Sequence, residues 1–166
     1  MDQTPRTDIP GGADHPRGIH GARVDNKGRL KLPAAYQHYF RERAETRFFM
    51  TTLDKEHIYL YPLPAWKENE QILESVSGSE EAVENAEAIL FTASNFGADA
   101  DMDNDGRLLV PQKLRELFGV NDAPVWLRFE KGRLLIYNEA GYKRREQIYE
   151  ENLPGRLRMM KTLGVK

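Results

Sequence analysis

The stretch VDNKGRLKLP, Val24–Pro33, returns later in the chain as MDNDGRLLVP, Met102–Pro111. Setting Asp25 on Asp103 gives an offset of 78, and the same offset pairs Asn26 with Asn104, Gly28 with Gly106, Arg29 with Arg107 and Pro33 with Pro111. Leu30 with Leu108 and Phe40 with Phe118 extend the match. Further on, Ile58-Tyr59-Leu60-Tyr61 resembles Leu134-Leu135-Ile136-Tyr137, and Trp66 falls on Tyr142, now at an offset of 76, so two residues have been lost between. A self-match of this kind settles architecture before any single motif is read. It predicts two equivalent halves.

Each half reads as a short strand, a tight turn, a strand, a helix, a hairpin and a second helix. In Asp-Asn-x-Gly the Asp and Asn side chains bond nearby backbone N–H groups and Gly accepts positive φ, which is turn chemistry. Asp25 and Gly28, and likewise Asp103 and Gly106, are therefore turn-stabilising residues, and the Asp25 carboxylate and Arg29 guanidinium can meet across the turn and aim the arginine outward. Arg107 takes the same turn-stabilising place in the second copy. Pro33 and Pro111 suit the first turn of helices over Ala34–Arg43 and Gln112–Phe118, where a missing N–H costs nothing, and Gly119 stops the second. Arg47–Thr52 with His57–Tyr61, and Val125–Phe129 with Arg133–Tyr137, are apolar, β-rich runs at hairpin spacing. Pro64–Val76 and Ser79–Ala93 have helical periodicity, with Trp66, Leu73 and Val76 on one face of the first and Val83, Ala86, Leu90 and Ala93 on one face of the second.

The chain thus divides into a disordered leader over 1–16, a first repeat over 17–77, a connecting helix over 78–96, a second repeat over 97–145 and a C-terminal helix and tail over 146–166. Half-units of this size expose unpaired strand edges and bury little by themselves. The two copies are expected to complete one another's sheet in one intertwined domain.

Composition narrows the function classes. The 166 residues are 40% hydrophobic and 30% charged, and no run approaches the ~20 apolar residues of a membrane span. With no cysteine, disulfides, thiolate zinc sites and cysteine nucleophiles are excluded. A formal charge of −2 rules out a uniformly basic coat, so a nucleic-acid partner must meet a local patch. His15, His20, His38 and His57 lack metal-ligand spacing, and no Gly-x-Ser-x-Gly, Walker-type or Gly-x-Gly-x-x-Gly stretch occurs. No catalytic residue, metal or cofactor is assigned.

The duplicated Asp-x-x-x-Arg turn, each copy followed by a strand and a proline-led helix, resembles the MraZ family and, more distantly, AbrB-type swapped-hairpin transcription factors. Arg17-Gly18, eight residues ahead of Asp25, resembles the Arg-Gly near the start of MraZ chains, and Leu60-Tyr61-Pro62-Leu63-Pro64-x-Trp66 resembles the segment closing their first half. The resemblance covers almost everything after residue 16. It implies an α+β fold, a swapped-hairpin AbrB-like sheet or barrel built from the two repeats with peripheral helices. It also implies a sequence-specific DNA-binding regulator, cytoplasmic and nucleoid-associated, acting on double-stranded DNA at the promoter of the division and cell wall gene cluster, usually as a ring-shaped homo-oligomer. The alternative is an antitoxin-type or scaffold module that uses the same fold to grip protein.

The two copies differ in sign. Residues 15–35 hold Arg17, Arg23, Lys27, Arg29 and Lys31 against Asp25, five to one, a net +4; residues 93–113 hold Arg107 and Lys113 against Asp99, Asp101, Asp103 and Asp105, two to four, a net −2. Counterion release rewards phosphate binding by the first copy only. Arg29 is the candidate for base edges, since a guanidinium bonds bidentately to guanine O6 and N7; Arg17, Arg23, Lys27 and Lys31 are candidates for phosphate. The competing reading keeps Arg29 at its Asp25 pair alone and Lys27 and Lys31 as solvated strand residues. Lys143-Arg144-Arg145 and Arg156, Arg158 and Lys161 read as solvated helix faces. Asp101-x-Asp103-x-Asp105-Gly106 copies the opening of a calcium loop, but its twelfth position is Gln112 and its flanks are strands. An acidic turn left by the duplication is the better reading.

Overall fold

Residues 14–166 are described by a computed structural model; the leader expected over 1–16 lies, up to residue 13, outside the described residues. Among the described residues eight strands, β1 (Ile19–Val24), β2 (Arg29–Lys31), β3 (Arg47–Thr51), β4 (Ile58–Pro62), β5 (Ala98–Asp101), β6 (Arg107–Leu109), β7 (Ala123–Glu130) and β8 (Arg133–Tyr137), form one sheet. The helices are α1 (Ala34–Glu42), α2 (Leu63–Glu74), α3 (Glu80–Phe96), α4 (Gln112–Phe118), α5 (Glu139–Glu150) and α6 (Leu153–Lys161). The strand order is β5-β3-β4-β8-β7-β1-β2-β6, antiparallel at each pairing. Both edges belong to the second repeat and are joined by its turn, so the sheet curls into a nearly closed barrel. The fold is the α+β, swapped-hairpin architecture that the repeat and its resemblance imply.

The register carries the duplication to single residues. β2 pairs with β6 at Leu30↔Leu108, which are equivalent under the 78-residue offset, and β4 pairs with β8 at Tyr59↔Leu135, equivalent under the 76-residue offset. A pseudo-twofold axis therefore passes through both pairs. The remaining strands exchange partners: β1 of the first repeat lies on β7 of the second, and β5 of the second lies on β3 of the first. Their registers relate by an offset of 77, since Val24 faces Ala123 while Met102 N donates to Thr46 O. One residue was thus lost before the hairpin and one within it. The second hairpin closes on Lys131 and Gly132, both at positive φ, as a two-residue turn demands.

Period-two alternation fills both faces. Inside the barrel lie Val24, Leu30, Phe48, Met50, Ile58, Leu60, Leu108, Val125, Leu127, Leu134 and Ile136, joined by Tyr36 and Phe40 from α1 and Leu114 and Phe118 from α4. The intervening residues Tyr59, Tyr61, Leu135 and Tyr137 face outward and are buried under Trp66 and Ala93. Hence β4 is buried along its whole length. The pseudo-symmetry extends to ring stacking, because Phe49 stacks on Trp66 at 4.7 Å and its counterpart Trp126 stacks on Tyr142 at 4.8 Å.

Three local expectations shift. Pro33 and Pro111 occupy the N-cap, not the first helical residue, with φ −52° and ψ 146° or 140°; the fixed proline φ serves the extended backbone of a cap equally well. In α2 only Trp66 is fully buried. In α3 Ala86 and Ala93 are buried but Val83 is exposed, because helical spacing sets it on the flank of that stripe, beside Glu80 and Glu84.

The first hairpin loop is braced by Asp54. Its Oδ1 accepts from the N–H groups of Glu56 and His57, and its Oδ2 lies 2.8 Å from His57 Nδ1 and 2.6 Å from the Tyr59 hydroxyl, which donates to it. Burial raises this carboxyl, yet the bonds from His57, Tyr59 and the two N–H groups outweigh burial and hold it well below the usual range. A group depressed in the folded state contributes stability that is present above its unfolded pKa of ~3.9 and is lost as pH falls further. Asp54→Asn is therefore expected to unfold at lower urea than the wild type at pH 7, with the gap narrowing from pH 4 to pH 2. A gap that stays constant over that window would remove the carboxylate from the explanation.

Candidate nucleic-acid interface

The first turn is rigid because its hydrogen bonds are saturated locally. Asp25 Oδ1 accepts from Lys27 N and Arg29 N, both at 2.9 Å, while Asp25 Oδ2 accepts from Arg29 Nε at 3.1 Å. These bonds, led by the Arg29 N–H, lower the Asp25 pKa. Gly28 sits at φ +80° with its N–H on Asp25 O. A Cβ there would also strike the guanidinium of Arg115 at 2.6 Å. The positive φ is what requires glycine, since the Arg115 guanidinium ends a flexible side chain that can shift.

The second turn keeps the backbone plan but not the ion pair. Asp103 Oδ1 accepts from Asp105 N and Arg107 N, whereas the Arg107 guanidinium turns to Asp105, with Nη1 3.0 Å from Oδ2. Arg41 Nη2 donates to the carbonyls of Asp103 and Asn104. The carboxylates of a would-be calcium loop are thus engaged in place, Asp101 by Arg47 at 3.7 Å, Asp103 by backbone N–H groups and Asp105 by Arg107. Millimolar calcium is expected to leave the melting temperature unchanged in differential scanning calorimetry; a clear rise, by mass action on the native state, would restore the calcium reading.

The pairing of β2 with β6 brings Arg29 opposite Leu109 and Lys31 opposite Arg107. Leu30 and Leu108 point into the barrel, so strand alternation puts Arg29, Lys31, Arg107 and Leu109 on the outer face of one two-stranded ribbon. Lys27 and Lys31 are exposed, and Arg29 is partly so. Arg23 is exposed but tied to the 120s loop, its Nη2 2.9 Å from both Asp122 O and Asp122 Oδ1. Arg17 lies at the far end of β1, roughly 20 Å from the turn at ~3.4 Å per strand residue. The carbonyls of Arg17 and Gly18 anchor that corner, since His20 Nε2 lies 3.0 Å from the former and the Tyr36 hydroxyl donates to the latter. The structure therefore gathers Lys27, Arg29 and Lys31 at the ribbon and sets Arg17 apart.

One residue of this region escapes motif reading. Arg115 lies under the first turn, its Nε donating to Val110 O, and adds a positive charge there. The repeat carries the signal: subtracting 78 leads to Gln37, whose Nε2 donates to Leu32 O beneath Gly106 in the second copy. Arginine under the basic turn and glutamine under the acidic one widen the electrostatic difference between the copies. Arg107 joins the ribbon face through strand pairing across the repeats, which its own neighbours in sequence do not reveal.

Fold and site together define a duplicated swapped-hairpin barrel with a basic turn-and-ribbon face. No family model matches the chain. It is 32% identical over 124 residues to the transcriptional regulator MraZ of Tolumonas auensis, covering 74% of this chain and 79% of that one. With the MraZ of Methylococcus capsulatus it shares 29% over 150 residues, 89% and 96% of the two chains. With that of Acidobacterium capsulatum it shares 39% over 100 residues, 60% of this chain and 66% of that one. The chain belongs to the MraZ family of transcriptional regulators.

Proposed function

We propose that this chain is a sequence-specific DNA-binding regulator that reads repeated boxes at the promoter of the division and cell wall gene cluster, working in the cytoplasm on nucleoid DNA as a ring of identical subunits. The observation that carries this reading is the outward pair Arg29 and Lys31 on an antiparallel ribbon flanked by Lys27. A two-stranded ribbon fits the major groove of B-DNA, where arginine reads guanine bidentately, and lysines beside it meet phosphate. No helix among the described residues is long and apolar enough to cross a membrane, and the MraZ relatives are named as transcriptional regulators, not enzymes.

Avidity follows from the charge. A chain of formal charge −2 lacks the broad positive field that holds many DNA binders, so one ribbon binds weakly and repeated subunits convert later contacts into intramolecular ones. Boxes spaced by one helical turn, ~10–10.5 base pairs, present the same groove face to neighbouring subunits. Gel shifts with excess poly-anion competitor are expected to show most affinity lost when half a turn is inserted between boxes. Unchanged affinity on that DNA, or full affinity for an isolated box, would contradict the ring reading.

A further inference from the structure

The C-terminal helix is amphipathic, and none of its residues is buried by the other described residues. Leu153, Leu157 and Met160 recur at i, i+4 and i+7 on α6, and all three are exposed. Arg156 and Lys161 flank that stripe on either side at helical spacing. From Leu153 to Lys166 the chain carries four basic side chains and no acidic one.

The outer face of α3 is its opposite. Glu80, Val83, Glu84, Glu87 and Phe91 share one exposed face at i, i+3, i+4, i+7 and i+11, turned away from the Ala86 and Ala93 face that packs inward. Phe91 is 67% exposed. The 17 residues of α3 hold four acidic side chains and no basic one. Val83 and Phe91 are ~12 Å apart along the helix and Leu153 and Met160 ~10 Å, at 1.5 Å per residue. The two apolar spans therefore match in length while their flanking charges are opposite.

We infer that α6 of one subunit docks on the outer face of α3 of a second copy of this chain, with Leu153, Leu157 and Met160 against Val83 and Phe91, and Arg156 and Lys161 against Glu84 and Glu87. The two surfaces differ, so each subunit offers one of each and the contact is head-to-tail, the kind that closes into rings when the rotation permits. The surface rests on the proposal above that the chain assembles, and it names the segment that assembles it.

Charge exchange tests it on the full chain. Arg156→Glu/Lys161→Glu and, separately, Glu84→Lys/Glu87→Lys place like charges across the contact; Glu80 is left alone because an acidic residue stabilises the helix N-terminus. Light scattering after size exclusion is expected to show assembled wild type, each variant at single-chain mass with unchanged far-UV circular dichroism, and recovery of assembly when the two variants are mixed, since each then meets its complement. Variants that keep the wild-type mass, or a mixture that stays dissociated, would overturn this surface and leave DNA reading by the ribbon untouched. A wild type of single-chain mass would overturn the surface and the ring together, whereas an assembled wild type that binds no promoter DNA would count against the proposed function alone.

Discussion

Arg29→Ala is expected to weaken binding to a single specific box by roughly 5- to 150-fold, the loss of one bidentate arginine–guanine contact worth about 1–3 kcal/mol. On tandem boxes the loss compounds, because every engaged subunit gives up the same contact. The fold should survive. Asp25 Oδ1 bonds the N–H groups of residues 27 and 29, which alanine retains, and the side-chain pair that disappears is about 40% and 35% exposed, a class of interaction worth about 0–1 kcal/mol. Arg107→Ala is expected to cost much less. Its guanidinium is held by Asp105 amid the acidic turn, where phosphate is repelled. Equal losses for the two variants, measured by fluorescence anisotropy, would remove the asymmetry between the copies. An Arg29→Ala chain with lost secondary structure would make Arg29 a fold residue.

Leu30→Ala should produce the largest loss of stability, about 2–5 kcal/mol. Leu30 is 0% exposed and faces its own repeat counterpart Leu108 across the pseudo-twofold axis, so a cavity there opens where both halves meet and neither can collapse into it alone. Against a typical total of ~5–15 kcal/mol this is a large share. Leu109→Ala, on the same ribbon but 58% exposed, is expected to stay within about 0.5 kcal/mol. Urea unfolding monitored by tryptophan fluorescence measures both, and similar midpoints for the two variants would contradict the placement of the axis.

The twofold was legible in the chain because the pairs on its axis, Leu30 with Leu108 and Tyr59 with Leu135, are those that the repeat offsets match. The exchange of β1 and β5 between repeats was not legible from local pattern. Each strand has the same alternation whether it joins its own hairpin or the other one, so the family resemblance carried that expectation. Side-chain partners in the turns were legible only where the chemistry is local. The Asp25–Arg29 pair spans four residues and can be read from spacing, while Arg107 has three carboxylates within six residues and settles on Asp105. Arg115 and Arg41 reach the turns from helices, and only the tertiary fold brings them there. The exposure of Val83 and Phe91 likewise escapes periodicity, since an apolar residue on a helix face looks the same whether its cover is the same chain or another.

The proposed function requires the first turn, and not the second, to lie against DNA. A photo-crosslinking residue placed at Lys27 or at Asp105, the exposed tips of the two turns, tests it directly on a complex with tandem promoter boxes. Strong crosslinking to DNA from position 27 and little from position 105 is the predicted result; equal yields, or a stronger yield from position 105, would contradict it.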